Sequence, residues 1–67
     1  MRKEVEVKVN DVLINKKNGR KFMVGKVYRN NELMIAIEIE VSNPTTRVIS
    51  KDELLYGYYE INNHYNL

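Results

Sequence analysis

The sequence predicts an all-β fold, a small barrel of five to six short strands with one short 3₁₀ or helical turn. Three observations lead there. Apolar and polar residues alternate over short stretches, the period of a strand that buries one face. Asn18-Gly19 and Asn30-Asn31 interrupt that alternation with residues suited to tight reversals. Nowhere does an apolar pattern of helical period run long enough for an ordinary helix.

In chain order, Val5, Val7 and Val9 alternate with Glu6 and Lys8 and read as a first strand, ended by Asn10-Asp11. Val12-Leu13-Ile14 follows. Asn18-Gly19 then fits a two-residue type I′ turn, whose central positions both need positive φ. That turn pairs Lys17 with Arg20, Lys16 with Lys21, Leu13 with Val24 and Val12 with Gly25. Phe22 to Tyr28 is the next strand, and Leu33 to Val41 the longest, with Leu33, Ile35, Ile37, Ile39 and Val41 on one face. A two-residue reversal at Asn30-Asn31 pairs Arg29 with Glu32 and sets every later pair. Phe22 then faces Ile39, Val24 faces Ile37, Lys26 faces Ile35 and Tyr28 faces Leu33, with only Lys26 out of place on an apolar face. Met23 meets Glu38 and Lys21 meets Glu40 on the other face, so opposite charges end the ladder. The expected core row is Leu13, Val24 and Ile37, and the small residues Gly25 and Ala36 mark where the sheet can bend.

Beyond the turn residues Ser42-Asn43-Pro44-Thr45, a short strand runs from Thr46 to Ile49. Ser50 followed three residues later by Glu53 is a capping box, and only Leu54 and Leu55 extend it, so one helical turn is expected. Tyr58 to Ile61 closes the set. Residues 1–61 read as one domain and 62–67 as a polar tail.

A chain of 67 residues buries only about 60% of the surface its unfolded form exposes, which leaves little room for a large catalytic cleft. Absence of cysteine removes disulfides and thiolate metal cages and suits a reducing compartment. With neither a signal-peptide core near Met1 nor a membrane-length apolar run, the chain reads as soluble and cytoplasmic. Its net charge of +2 is unevenly spread. Residues 1–29 hold nine Lys/Arg against three acids, a balance of +6, and residues 30–67 hold two against six, a balance of −4. Such a split marks a basic patch for an anionic partner, or halves that neutralise each other on folding.

The order of these elements is that of a small SH3-like barrel. The stretch Asp11-Val12-Leu13-Ile14 through Lys17-Asn18-Gly19-Arg20-Lys21-Phe22, with Ser50-Lys51-Asp52-Glu53-Leu54 before a final aromatic strand, resembles the small SH3-like proteins encoded by phages and prophages of low-GC bacteria. The resemblance covers about residues 10 to 61. It lies in turn placement and implies a fold rather than an activity. Nine Asn, seven Lys against four Arg, six Ile and a single Ala also suit an AT-rich genome.

Two clusters stand out as partner-binding candidates. Lys16, Lys17, Arg20 and Lys21 gather at the first hairpin, where like charges placed opposite each other destabilise a sheet. An anion, either a phosphate backbone or an acidic protein surface, is one explanation; keeping a protruding turn soluble is the other. Tyr56, Tyr58 and Tyr59 crowd the C-terminal segment, where exposed rings suit a protein interface or base stacking and buried ones simply cap a β core. Met23, Val27 and Met34 fit either an adaptable contact surface or packing.

Catalysis finds no constellation. His64 is the only imidazole and lies in the tail, and no hydroxyl has an evident activator. Glu38 and Glu40 share a face and with Asp52 or Glu53 offer carboxylates to a divalent ion, but their pairing with Lys21 favours a solvated role. The sequence therefore reads as a non-catalytic binding protein without a cofactor, a phage-encoded modulator or inhibitor of a host protein. The alternative is a nucleic-acid-binding module using the basic hairpin and tyrosines. Self-assembly is a third reading, if an edge strand stays open.

Overall fold

The computed structural model describes residues 6–29 and 32–62. It is an antiparallel five-stranded sheet with one short helix: β1 (Val12–Asn15), β2 (Lys21–Tyr28), β3 (Leu33–Ile39), β4 (Thr46–Ser50), α1 (Lys51–Leu55) and β5 (Tyr59–Asn62). The strand order is β4-β3-β2-β1-β5. Every strand but one falls where the alternation places it. The exception is the segment around Val5–Val9, where residues 6–9 form no strand and Val5 lies outside the described residues.

The reason for that exception is a turn built by Asp11. Its carboxylate Oδ2 accepts from the Lys8 amide at 2.9 Å, and its own amide donates to the Lys8 carbonyl at 3.0 Å. Asn10 takes a φ of 81°, the left-handed region that asparagine tolerates. The chain doubles back, so Val7 enters the core while Val9 remains exposed.

β2 carries the feature that decides which side of the sheet is the interior. Tyr28, Val27 and Lys26 pair with Leu33, Met34 and Ile35 as the reversal at residues 30–31, itself outside the described residues, predicts. At Gly25 the register slips by one, so Val24 pairs with Ala36, Met23 with Ile37, Phe22 with Glu38 and Lys21 with Ile39. This β-bulge corrects the expected pairs Phe22–Ile39 and Val24–Ile37. An extra residue lets Phe22, Val24 and Val27 all point inward while Lys26 turns out. There the Lys26 ammonium sits 5.3 Å from the centre of the Tyr28 ring.

The faces of β3 are consequently the reverse of the expected ones. Met34, Ala36 and Glu38 are buried, whereas Ile37 is 48% exposed. The buried cluster joins Val7, Leu13, Phe22, Val24, Met34, Ala36, Ile49, Leu54 and Tyr59, with Val27 and Ile61 packed against it. It draws on all five strands and the helix. The five-residue helix contributes only Leu54 to this cluster, and apart from Val7 the rest comes from the sheet. No β4–β5 pairing closes it among the described residues.

α1 forms where the capping box places it. Glu53 Oε1 accepts from the Ser50 amide at 3.0 Å, which satisfies an N-terminal donor the helix itself cannot. At the other end Gly57 adopts a φ of 82°; its amide donates to the Leu54 carbonyl and that of Tyr58 to the Glu53 carbonyl, a Schellman ending. Asn62, expected in the tail, is the last residue of β5, and 63–67 lie outside the described residues.

The inverted faces give an expectation opposite to that of the bare alternation pattern. Ile37→Thr should change stability by less than about 1 kcal/mol, because that side chain is largely solvated already. Met34→Thr should cost roughly 2 to 5 kcal/mol, through a cavity and a buried hydroxyl. Urea denaturation of both variants measures the difference, and equal losses would mean that the bulge is misplaced.

Candidate functional site

The first candidate cluster sits on the β1–β2 loop, which is longer than a two-residue turn. β1 and β2 pair Val12 with Met23, Leu13 with Phe22 and Ile14 with Lys21, two residues away from the expected register. Asn15 is responsible. Its Oδ1 accepts from the amides of Lys17 (2.8 Å) and Asn18 (3.2 Å), and its carbonyl accepts from the Gly19 amide at 2.7 Å. Asn18 Oδ1 accepts in turn from the Arg20 amide, and Gly19 alone takes the positive φ, at 76°. A shift of two preserves the faces but removes the predicted pairs Lys16–Lys21 and Lys17–Arg20. The like-charge opposition that suggested an anion site is therefore absent.

The four cations are also divided. Lys21 Nζ lies 3.2 Å from Glu40 Oε1, the ion pair expected from sequence, now made by a Glu40 whose φ of 64° ends β3. Arg20 Nε lies 3.7 Å from Glu38 Oε2. Glu38 is 5% exposed, and Thr45 Oγ1 donates to its Oε1 at 3.0 Å. A buried carboxylate needs such partners, since leaving water without them is expensive. These four charged residues line a cleft of about 530 Å³ between the β1–β2 loop and the chain after β3, with both signs represented. Lys16 and Lys17 remain exposed at the tip with no ion pair among the described residues.

The tyrosines divide as well. Tyr56 and Tyr58 are 73% and 58% exposed, and their rings lie 6.2 Å apart at 55°. Tyr59, expected with them as a contact residue, is instead buried in the core, edge-on to Phe22 at 6.4 Å. Strand alternation forces this, because Tyr58 and Tyr59 must face opposite ways. The Tyr59 hydroxyl is buried and has no hydrogen-bond partner among the described residues.

One contact unites the exposed parts of both clusters. The Lys16 amide donates to the Tyr58 carbonyl at 3.0 Å, which continues the β1–β5 ladder past Asn15 and Tyr59. The root of the lysine loop and the tyrosine segment are thus neighbours. The signal for this adjacency was not local: it requires β5 to pair with β1, and β5 begins more than forty residues after the loop's first residue. Among the described residues no group of three His, Cys, Asp or Glu side chains could hold a metal ion, and no helix is long and apolar enough to cross a membrane. Glu38 and Glu40 are held by Arg20 and Lys21 rather than grouped with Asp52 or Glu53.

No protein-family model, curated protein or solved structure matches the chain.

Two substitutions test these assignments by chemical denaturation. Tyr59→Phe should leave stability unchanged or raise it by up to about 1 to 2 kcal/mol, since it deletes an unsatisfied buried hydroxyl and keeps the ring. A clear loss would reveal a partner for that hydroxyl. Glu38→Gln keeps an acceptor for Thr45 and should cost less than about 1 kcal/mol, because Arg20 is well exposed and a screened pair is worth little. Glu38→Ala should cost clearly more.

Proposed function

We propose that this chain is a non-catalytic binding protein, a small SH3-like barrel acting in the cytoplasm as a phage-encoded modulator or inhibitor of a host protein. Its contact surface is the Lys16–Lys17 loop tip together with Tyr56 and Tyr58. The phage assignment rests on the resemblance in turn placement. Support for the barrel comes from the strand order and from a core that includes Ile49 of one edge strand and Tyr59 of the other, which requires a strongly curled sheet.

The observation that carries the functional reading is the hydrogen bond from the Lys16 amide to the Tyr58 carbonyl. It sets the backbone of Lys16, at the root of the cationic loop, beside that of Tyr58, whose ring lies 6.2 Å from that of Tyr56. Tyrosines give large contact area at low cost in side-chain entropy, and lysines steer an acidic surface toward them. A phosphate track is the weaker fit. Arg20 and Lys21 are matched by Glu38 and Glu40, so half of the cations expected to meet phosphates face carboxylates instead. Neutralising several phosphates is what gives nucleic-acid binding its strength.

The test compares affinity capture of host-cell proteins by the wild type and by a variant with Lys16→Ser, Lys17→Ser, Tyr56→Ser and Tyr58→Ser. All four side chains are exposed, so the variant should keep the wild-type circular dichroism spectrum and melting temperature. A protein retained by the wild type and lost from the variant is the expected result, and identical captures would end the reading. Titration with single- and double-stranded oligonucleotides across a salt series checks the alternative. Binding that falls steeply with salt and is lost in the variant would turn the assignment to nucleic acid.

A further inference from the structure

Asn18 and Gly19 at the tip of the β1–β2 loop form a dipeptide that can react with itself. The backbone nitrogen of Gly19 attacks Cγ of the Asn18 side-chain amide, its proton passes to water or hydroxide, and the side-chain nitrogen leaves as ammonia. Water then opens the cyclic imide at one of its two carbonyls, which leaves aspartate or isoaspartate at position 18. Nothing is oxidised or reduced, and water is the only co-reactant.

The surroundings favour this chemistry. Both residues are exposed, and Gly19 carries no side chain to crowd the closing ring. Beyond its chain neighbours no atom lies within 4 Å of where a Cβ would stand on Gly19, so water has access to the imide. Lys17 and Arg20 flank the pair, and neighbouring cations lower the cost of the anionic nitrogen that attacks.

The loop's hydrogen bonds oppose it. The nucleophile is engaged, because the Gly19 amide donates to the Asn15 carbonyl at 2.7 Å and must give up that bond before it can attack. The electrophile is pinned as well: Asn18 Oδ1 accepts from the Arg20 amide at 2.9 Å, which fixes the orientation of the side-chain amide. Asn15 Oδ1 holds the amides of Lys17 and Asn18, and so the backbone that carries both groups.

We propose that Asn18 is a self-modifying site whose conversion to aspartate and isoaspartate is gated by the hydrogen bonds centred on Asn15. Reaction takes place in the fraction of molecules whose loop has opened, since only opening frees the Gly19 amide. Residues 16–21 hold four Lys/Arg and no acid, so each conversion lowers their charge from +4 to +3. Isoaspartate also lengthens the backbone of the tip by one methylene. The inference is independent of any partner that the tip meets.

Peptide mapping by mass spectrometry over weeks at neutral pH follows the replacement of the side-chain NH2 by OH at position 18. The chain unfolded in guanidinium chloride should convert fastest, and the folded wild type about a hundredfold more slowly, because the loop's hydrogen bonds must open first. Asn15→Ala removes two of those bonds and should raise the folded rate about tenfold. Asn15→Asp keeps an acceptor oxygen there and should stay near the wild-type rate. Asn18→Gln, with a side chain one methylene longer, should show no conversion at that position. Equal rates in the folded and unfolded wild type overturn the gating, as does an Asn15→Ala rate no higher than that of the wild type. Absence of conversion in folded Asn15→Ala by the time the unfolded chain is fully converted overturns the site itself. Should Asn15→Ala fail to fold, amide exchange in the wild type decides: a Gly19 amide that exchanges as fast as in the unfolded chain overturns the proposal, and a protected one supports it.

Discussion

A charged side chain cannot be buried unpaired without a cost of several kcal/mol, and β2 has Lys26 in the middle of an otherwise apolar alternation. With one residue per position, burying Phe22 and Val24 would bury Lys26 with them. The bulge at Gly25 removes that conflict by taking one residue out of the count, so that Val27 follows Val24 into the core and Lys26 reaches solvent. Much of the remaining structure follows from it. Because the pairing slips on one side of Gly25 only, β3 presents Met34, Ala36 and Glu38 inward, and its isoleucines line the outer face. Glu38 is then a buried carboxylate that must find Arg20 and Thr45, while Ile37 and Val48 lie exposed on the outer face.

The loop between β1 and β2 shows a second constraint, local hydrogen bonding by asparagine. Asn15 holds two loop amides with its side chain and one with its carbonyl, and Asn18 holds a fourth amide. Backbone groups that a two-residue turn would leave to strand pairing are satisfied within the loop instead. The loop thus lengthens without loss, and its cations separate: Arg20 and Lys21 stay at the sheet beside carboxylates, while Lys16 and Lys17 move to the tip. A cluster that counts as four charges in sequence acts as two at the surface.

What the sequence showed clearly was the position of each element. Alternation and turn residues located all five strands from β1 onward to within one or two residues, and Ser50 with Glu53 located the helix. Register was harder, because it depends on counts that a single inserted residue changes. Near residues 30–31 the expected pairs hold, and beyond Gly25 they fail. The warning was present in Lys26, the one misfit on an apolar face, together with a glycine inside a strand. Nothing comparable marked the segment before β1, where Val5, Val7 and Val9 have the strand period but Asp11, folded back onto Lys8, and the left-handed Asn10 divert the chain. Of the proposed contact residues, Tyr59 was misread because adjacent residues entering a strand face opposite ways, and which of Tyr58 and Tyr59 turns inward depends on the pairing of β5 with the distant β1.

Glu53 links the end of β4 to the tyrosine segment. Its side chain accepts the Ser50 amide, which both caps α1 and closes one end of the β4 edge to further pairing. Its backbone carbonyl accepts the Tyr58 amide, which ends the helix and turns the chain into β5. The five residues of α1 are too few to be stable as an isolated helix, so these caps and the burial of Leu54 hold it. The tyrosine pair and the end of β4 are therefore set by opposite ends of one short, doubly capped turn. Fixing Tyr58 in this way also fixes its carbonyl as the acceptor for Lys16, so the lysine loop takes its position from the same turn.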